Sequence, residues 1–198
     1  MVIMIVAIIV AILVALFFIV TYNKIVRMER NIDKAWREID IQLQRIAEQL
    51  PNLINILKGQ AGFEKDVLTR ISDAYARIAE AMRAPPTKEN VGKVSSALGI
   101  LMPIIYQLPQ YPQLQSIQAF SKVMDELRVS IDKIAYSRQF YNDAVTEYNI
   151  FINSFPWLIV ARMLGKSDKP LFEIGEEKRR EITTKLETGA FTADLTKI

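Results

Sequence analysis

The chain has no cysteine and no histidine among its 198 residues. Without cysteine there is no disulfide framework, no thiolate nucleophile and no thiolate metal site, and nothing speaks to the redox compartment. Without histidine the commonest general base, the usual zinc ligand and the Glu-x-x-His di-iron motif of helical bundles are excluded. The first fifty residues contain neither proline nor glycine, and the first twenty contain no charge. Strand-type alternation, low-complexity tracts and internal repeats beyond a shared heptad spacing are also missing.

Charge is modest. The net formal charge is +3, and the basic triplet Lys178-Arg179-Arg180 is hemmed in by Glu176, Glu177 and Glu181. That mixture argues against a nucleic-acid stripe. Catalytic motifs are equally thin. Gly92-Lys93-Val94-Ser95 lacks the upstream glycine and the adjoining strand of a phosphate loop, and no Gly-x-Ser-x-Gly elbow occurs. We therefore expect no enzyme, with no catalytic residues, no cofactor and no metal site.

What the chain does have is an apolar run, Met1 to Val20, matching the roughly 20 residues a helix needs to cross about 30 Å of hydrocarbon. It is longer than the apolar core of a secretory signal, lacks a basic start, and ends in the bulky Leu16-Phe17-Phe18-Ile19-Val20. This predicts an uncleaved anchor over residues 1–21. Lys24, Arg27 and Arg30 follow at once, with Glu29 among them. Basic residues favour the cytoplasmic side, so the expected placement is a single-pass protein of the cell membrane, with its N-terminus outside and its body cytoplasmic.

Beyond the anchor, apolar positions recur at helical spacing. Tyr22, Ile25, Ile32, Trp36, Ile39, Leu43, Ile46 and Leu50 form the first stripe, and nothing breaks the helix back to Met1. One rod of about 75 Å is expected at 1.5 Å per residue. A second stripe runs from Ile54 through Leu68, Ile71, Tyr75 and Ile78 to Met82. A third runs from Val91 to Leu108 with Pro103 inside it, which should kink or end it early. Thr87, after Pro85-Pro86, is a fair N-cap. The fourth (Phe120, Met124, Leu127, Ile131, Ile134, Arg138, Tyr141, Val145, Tyr148, Ile152, Phe155) keeps a strict 3-4 alternation over five heptads, the spacing of a left-handed bundle seam.

These stripes predict an all-α fold: a transmembrane helix continuous with an antiparallel, up-and-down four-helix bundle over residues 22–165. Helices are expected at 22–50, 52–83, 88–108 and 113–155, followed by a charged tail, 166–198, with a short helix near 176–186. Pro51 is either a reverse turn between two helices or a kink in one long helix.

The blocks Tyr22-Asn23-Lys24-Ile25-Val26, Ala35-Trp36-Arg37-Glu38-Ile39-Asp40-Ile41-Gln42-Leu43 and Tyr141-Asn142-Asp143-Ala144-Val145 together resemble the LemA family, bacterial and archaeal proteins with one N-terminal span and a helical body. Tyr22-Asn23-Lys24-Ile25-Val26 is similar to the family's Tyr-Asn-x-Leu-Val, and Ala35-Trp36-Arg37-Glu38-Ile39-Asp40-Ile41-Gln42-Leu43 to Ala-Trp-x-x-Ile-Asp-Val-Gln-Leu. Pro51-Asn52-Leu53-Ile54 and Lys58-Gly59-Gln60-Ala61-Gly62-Phe63-Glu64 follow in register. So do Arg138 and Tyr141-Asn142-Asp143-Ala144-Val145 within Ala-x-x-Arg-x-x-Tyr-Asn-x-Ala-Val, and then Tyr148-Asn149 and Phe155-Pro156. Departures include Arg45-Ile46 in place of two arginines and Phe63 in place of a histidine. The resemblance covers roughly residues 22–175. It implies a bundle of four main helices and so favours the reverse turn at Pro51. It implies no defined activity, although some members are linked with membrane organisation, magnetosome membranes among them.

Charges that interrupt apolar stripes are the candidate site residues. Glu64 and Arg138, mid-stripe on the second and fourth helices, are expected to pair in the interior, because an unpaired charge there costs several kcal/mol. Glu29 is expected to be solvated or snorkelling. Asn142 and Asn149, one heptad apart beside the seam, either bond across helices or face water. Lys24, Arg27, Arg30 and Trp157 are the expected membrane-interface residues. The apolar run from Trp157 to Leu164 either lies at the bilayer interface, where tryptophan is favoured, or folds back to cap the bundle. The fourth helix outreaches the third, so its overhanging seam needs a cover: the tail or another subunit. The expected function is a membrane scaffold or adaptor with unknown protein partners. The alternative is a homo-oligomer that shapes or coats the membrane. A homo-oligomer is the expected assembly, the lipid bilayer is the expected partner in both readings, and nucleic acid in neither.

Overall fold

The computed structural model describes residues 1–60 and 63–173. Its elements are α1 (Val2–Lys58), α2 (Lys65–Ala81), α3 (Lys88–Gln107), a 3-10 turn (Leu108–Gln110), the single turn α4 (Pro112–Gln115), α5 (Gln118–Asn153) and α6 (Trp157–Met163). There is no strand among the described residues. The short helix expected near 176–186 lies outside them.

α1 is one helix of 57 residues, about 85 Å at 1.5 Å per residue. Met1 to Leu16 are exposed throughout. Burial then begins, and the buried positions Thr21, Ile25, Met28, Ile32, Trp36, Ile39, Leu43, Ile46, Leu50, Leu53 and Leu57 advance in steps of three and four. The same rod therefore carries two apolar surfaces in succession, one facing outward all round and one confined to a single face.

The expected reverse turn at Pro51 is absent. α1 passes through Pro51 and stops at Gly59, and the chain reverses between Lys58 and Lys65. Pro51 removes the N–H that would have bonded to the Ala47 carbonyl. Ala47 and Pro51 both line an open groove, and Leu50, Leu53 and Leu57 are fully buried on either side of the proline, so core packing holds the helix across the missing bond. The helix boundaries expected at 50 and 52 are corrected accordingly. Pro103 likewise lies inside α3, which runs on to Gln107. Gly99, the residue four before it, is exposed, as is Pro103, so the freed carbonyl meets solvent. Thr87 caps α3 as expected, accepting from the Asn90 N–H at 3.2 Å. The fourth main helix is shorter at its start than expected, because Ser116-Ile117 separate α4 from α5.

Cross-contacts fix an antiparallel arrangement. Down the α1–α5 seam, Lys24 faces Phe151, Glu29 faces Tyr148, Trp36 faces Tyr141, and Gln49 lines a groove with Glu126. α2 and α3 pair through Arg77–Ser96 and Glu80–Lys93. They cover only the half of the α1–α5 pair farther from the apolar run. Their corner is pinned to α1 by two bonds: Trp36 Nε1–H donates to the Ala84 carbonyl at 3.0 Å, and Arg83 N–H donates to Asp40 at 3.0 Å. Arg83 adopts φ of 64°, a conformation costly for a side-chain-bearing residue, at the point where these bonds converge. Below that corner, toward the apolar run, the core is closed by α6 and by the segment after it.

Candidate functional site

The end of the bundle next to the apolar run is built from α1, α5, α6 and an extended strap, Lys166 to Glu173. Gly165 makes the reversal from α6 into the strap with φ of +65°, where a residue with a Cβ would be strained. The strap then runs back along α5. Asn149 Nδ2–H donates to the Lys169 carbonyl at 3.0 Å, and its Oδ1 accepts from the Lys169 N–H at 2.8 Å. One heptad earlier Asn142 treats Phe172 the same way, at 3.0 and 2.7 Å. Each amide thus satisfies both main-chain groups of one strap residue, as a neighbouring β-strand would. Tyr141 O–H donates to the Pro170 carbonyl at 2.9 Å, Asn153 donates to Asp168 at 2.7 Å, and Ser95 Oγ donates to the Glu173 carbonyl. Phe172 is fully buried, its ring 6.2 Å from that of Trp36.

The seam of α5 that outreaches α3 is therefore covered by the tail of the same chain. The expectation that the bundle ends at 165 is corrected: residues 166–173 pack along it and place Phe172 in its core. Of the two fates open to Asn142 and Asn149, the structure shows bonding, to an extended segment rather than to another helix.

The charge in this site is Glu29. Lys166 Nζ lies 2.8 Å from both of its carboxylate oxygens, and Tyr148 O–H donates to it at 3.4 Å. Glu29 and Lys166 keep only 25% and 26% of their side-chain surface, so Glu29 is held rather than solvated. Burial first, and then the Glu29 charge, push the Tyr148 hydroxyl up to about 12. Burial and Asp33 raise that of Tyr141 well above its ordinary range.

The expected Glu64–Arg138 pair does not form. Glu64 is exposed, precedes α2 at the far turn, and accepts from Tyr111 O–H at 3.0 Å. Arg138 is half-buried on α5, three residues before the Tyr141 that meets Trp36. The two lie roughly 20 helical positions apart along the bundle, about 30 Å. The second stripe misled because it carried one helix past Gly59, where α1 stops, to α2, which starts only at Lys65. Among the described residues no carboxylate lies within ion-pair distance of Arg138. Lys166 is the partner that sequence reasoning missed. Nothing in a mixed-charge tail singles it out, whereas the heptad spacing of Asn142 and Asn149 beside two buried tyrosines was a signal for a bound segment.

At the boundary itself, Lys24 Nζ sits 4.6 Å from the centre of the Phe151 ring, and Trp157 packs on the other partner of that cluster, its ring 5.0 Å from Phe151. Arg27 and Arg30 are exposed. Val160 and Ala161 of α6 are buried, so the run after Phe155-Pro156 caps the bundle. Among the described residues, the buried polar side-chain atoms without a hydrogen-bond partner are Thr21 Oγ1, where burial on α1 starts, and Gln42 Oε1 and Arg128 Nε farther along the bundle. No cluster of three or more acidic ligands suited to a metal ion occurs among the described residues.

Residues 35–186 match the model of the LemA family. Magnetosome protein MamQ 2 of Paramagnetospirillum magneticum is 26% identical over 170 residues, 73% of this chain and 61% of that protein. Magnetosome protein MamQ of Magnetospirillum gryphiswaldense is similar to the same extent. Protein LemA of Metamycoplasma hominis is 23% identical over 166 residues, 82% of this chain and 73% of that protein. The chain thus spans 61% of the length of the MamQ relatives it matches.

Proposed function

Because the chain belongs to the LemA family, we propose that it is a membrane-anchored helical bundle acting as a non-enzymatic scaffold or adaptor at a bilayer surface. One observation carries this reading. α1 is a single helix whose first part is exposed and apolar on every side and whose second part is the spine of the bundle core. The first part has the length and composition to cross a membrane. α3 passes the same test of length and composition, but Val91, Val94, Leu98, Leu101 and Ile105 are buried in the bundle, so it serves the core. The exposed Arg27 and Arg30 beside the span support a cytoplasmic body. The names of the magnetosome relatives are consistent with work at a membrane.

The reading is tested by fractionation and mass. The full chain should stay with membranes after alkaline carbonate washing; recovery in the supernatant would overturn the anchor. In nanodiscs, native mass at several protein concentrations should show one copy per disc. The alternative, self-assembly into a coat, drew support from an uncovered seam on α5, and residues 166–173 fill that seam. Concentration-dependent multimers would restore it. Orientation is read separately: a cysteine placed at the exposed Ser116 of this cysteine-free chain should react with an impermeant maleimide only after cells are opened.

A further inference from the structure

We propose that α6 and the turn before it form a second membrane contact, a foot lying in the interfacial layer of the bilayer beside the span. It rests on the reading of residues 1–20 as that span. Phe155 in the turn is 79% exposed, and Ile159 and Met163, one helical turn apart, are 50% and 70% exposed. The opposite side of this short helix is occupied, with Val160 and Ala161 buried and Trp157 on Phe151. α6 is therefore anchored from within while its outward side is apolar and bare.

Its position selects the occupant. α6 packs on both α1 and α5 and begins at Trp157 against the Phe151 that meets Lys24, close to where α1 changes from exposed on all sides to buried on one. On α1, Ile19, Val20 and Tyr22, two to five residues before the Lys24 that meets Phe151, are themselves 56%, 65% and 50% exposed, so bare apolar surface continues beside the foot. Arg162, exposed at the end of α6, joins Arg27 and Arg30 as cations at the depth of lipid headgroups. An amphipathic element with apolar residues on one side and arginine at its edge is what binds in the headgroup–acyl boundary. Trp157, the residue expected to report the interface, sits on the bundle side, and the lipid-facing residues are Phe155, Ile159 and Met163.

The absence of native cysteine makes the test direct. Single cysteines at Leu13, Ile159, Met163 and Val129 (exposed on α5, in the half away from the span) are labelled in the full chain with an environment-sensitive dye. The variants are reconstituted in nanodiscs of phosphatidylcholine and phosphatidylglycerol carrying nitroxide at shallow or deep acyl positions. Helical circular dichroism equal to wild type qualifies each variant, and Phe155→Cys replaces any that fails. Expected is several-fold stronger quenching at Ile159→Cys and Met163→Cys than at Val129→Cys, with the shallow nitroxide the more effective. Quenching at Leu13→Cys with none above the Val129→Cys level at 159 and 163 overturns the foot and leaves the span standing. A blue-shifted, unquenched dye at 159 means that protein covers the patch, which also overturns it. No quenching at Leu13→Cys removes the span and the foot together.

Discussion

Replacing Asn142 by alanine should loosen the strap and leave the helices standing. The substitution removes two bonds at once, the 3.0 Å donation to the Phe172 carbonyl and the 2.7 Å acceptance from its N–H. Each net bond is worth about 1 kcal/mol, and leaving a partly buried main-chain group unpaired costs about 1–3 kcal/mol. The expected loss is about 2–3 kcal/mol, a fall in Tm of roughly 4–12 °C for a chain of this size. Asn149→Ala should cost a similar amount through Lys169. If the strap docks as one unit, the double variant costs clearly less than the sum of the singles, because once the strap is off the second grip has nothing left to lose. Asn142→Asp discriminates further: it retains the acceptor for the Phe172 N–H and loses the donor to the carbonyl, so it should sit between wild type and alanine. The assay is thermal unfolding in nanodiscs, combined with hydrogen exchange of the Phe172 and Lys169 amides. Wild-type melting with undiminished amide protection in Asn142→Ala would refute the grip.

Three further outcomes follow from the same geometry. Glu29→Gln and Lys166→Ala should each cost about 1–2 kcal/mol, between exposed and fully buried pairs, and a double-mutant cycle in denaturant should show coupling. The Tyr148 hydroxyl is raised from about 10 to about 12, so the stability it contributes is complete below about pH 10 and is lost as pH climbs through about 12; tyrosinate absorbance and circular dichroism should change together in that window, and Tyr148→Phe should move the transition upward. Glu64→Gln and Arg138→Met should be additive within about 0.5 kcal/mol, since the two side chains belong to different ends of the bundle; measurable coupling in thermal melts would contradict the observed separation.

The helices of this fold were legible because their burial is periodic. Of the eleven positions of the fourth stripe named from spacing, nine are buried; the exceptions are Arg138 and Phe155, the latter beyond the end of α5. What spacing could not place was the first reversal. Pro51 is the louder breaker, yet losing one main-chain bond is outweighed by three fully buried leucines around it, and the quieter Gly59 marks the true stop. Gln49-Leu50-Pro51-Asn52 includes no glycine and no cap residue before the proline, which locally favours a helix carried through, so the family likeness alone argues for a turn there. The strap was illegible for a different reason. An extended segment bound through its main chain needs few particular side chains of its own, so its signature is written on α5, in two asparagines, and not in the tail that they hold.

The unbroken course of α1 gives the molecule a mechanical property. From Val20 to Lys58 the rod extends about 57 Å, with no joint between the exposed apolar part and the part inside the bundle. Spans respond to a thinner or thicker bilayer by tilting. A tilt of about 10° would then swing the distal tip sideways by about 10 Å. With residues 1–20 as the proposed span, the far end of the rod would be a pointer whose deflection follows bilayer thickness.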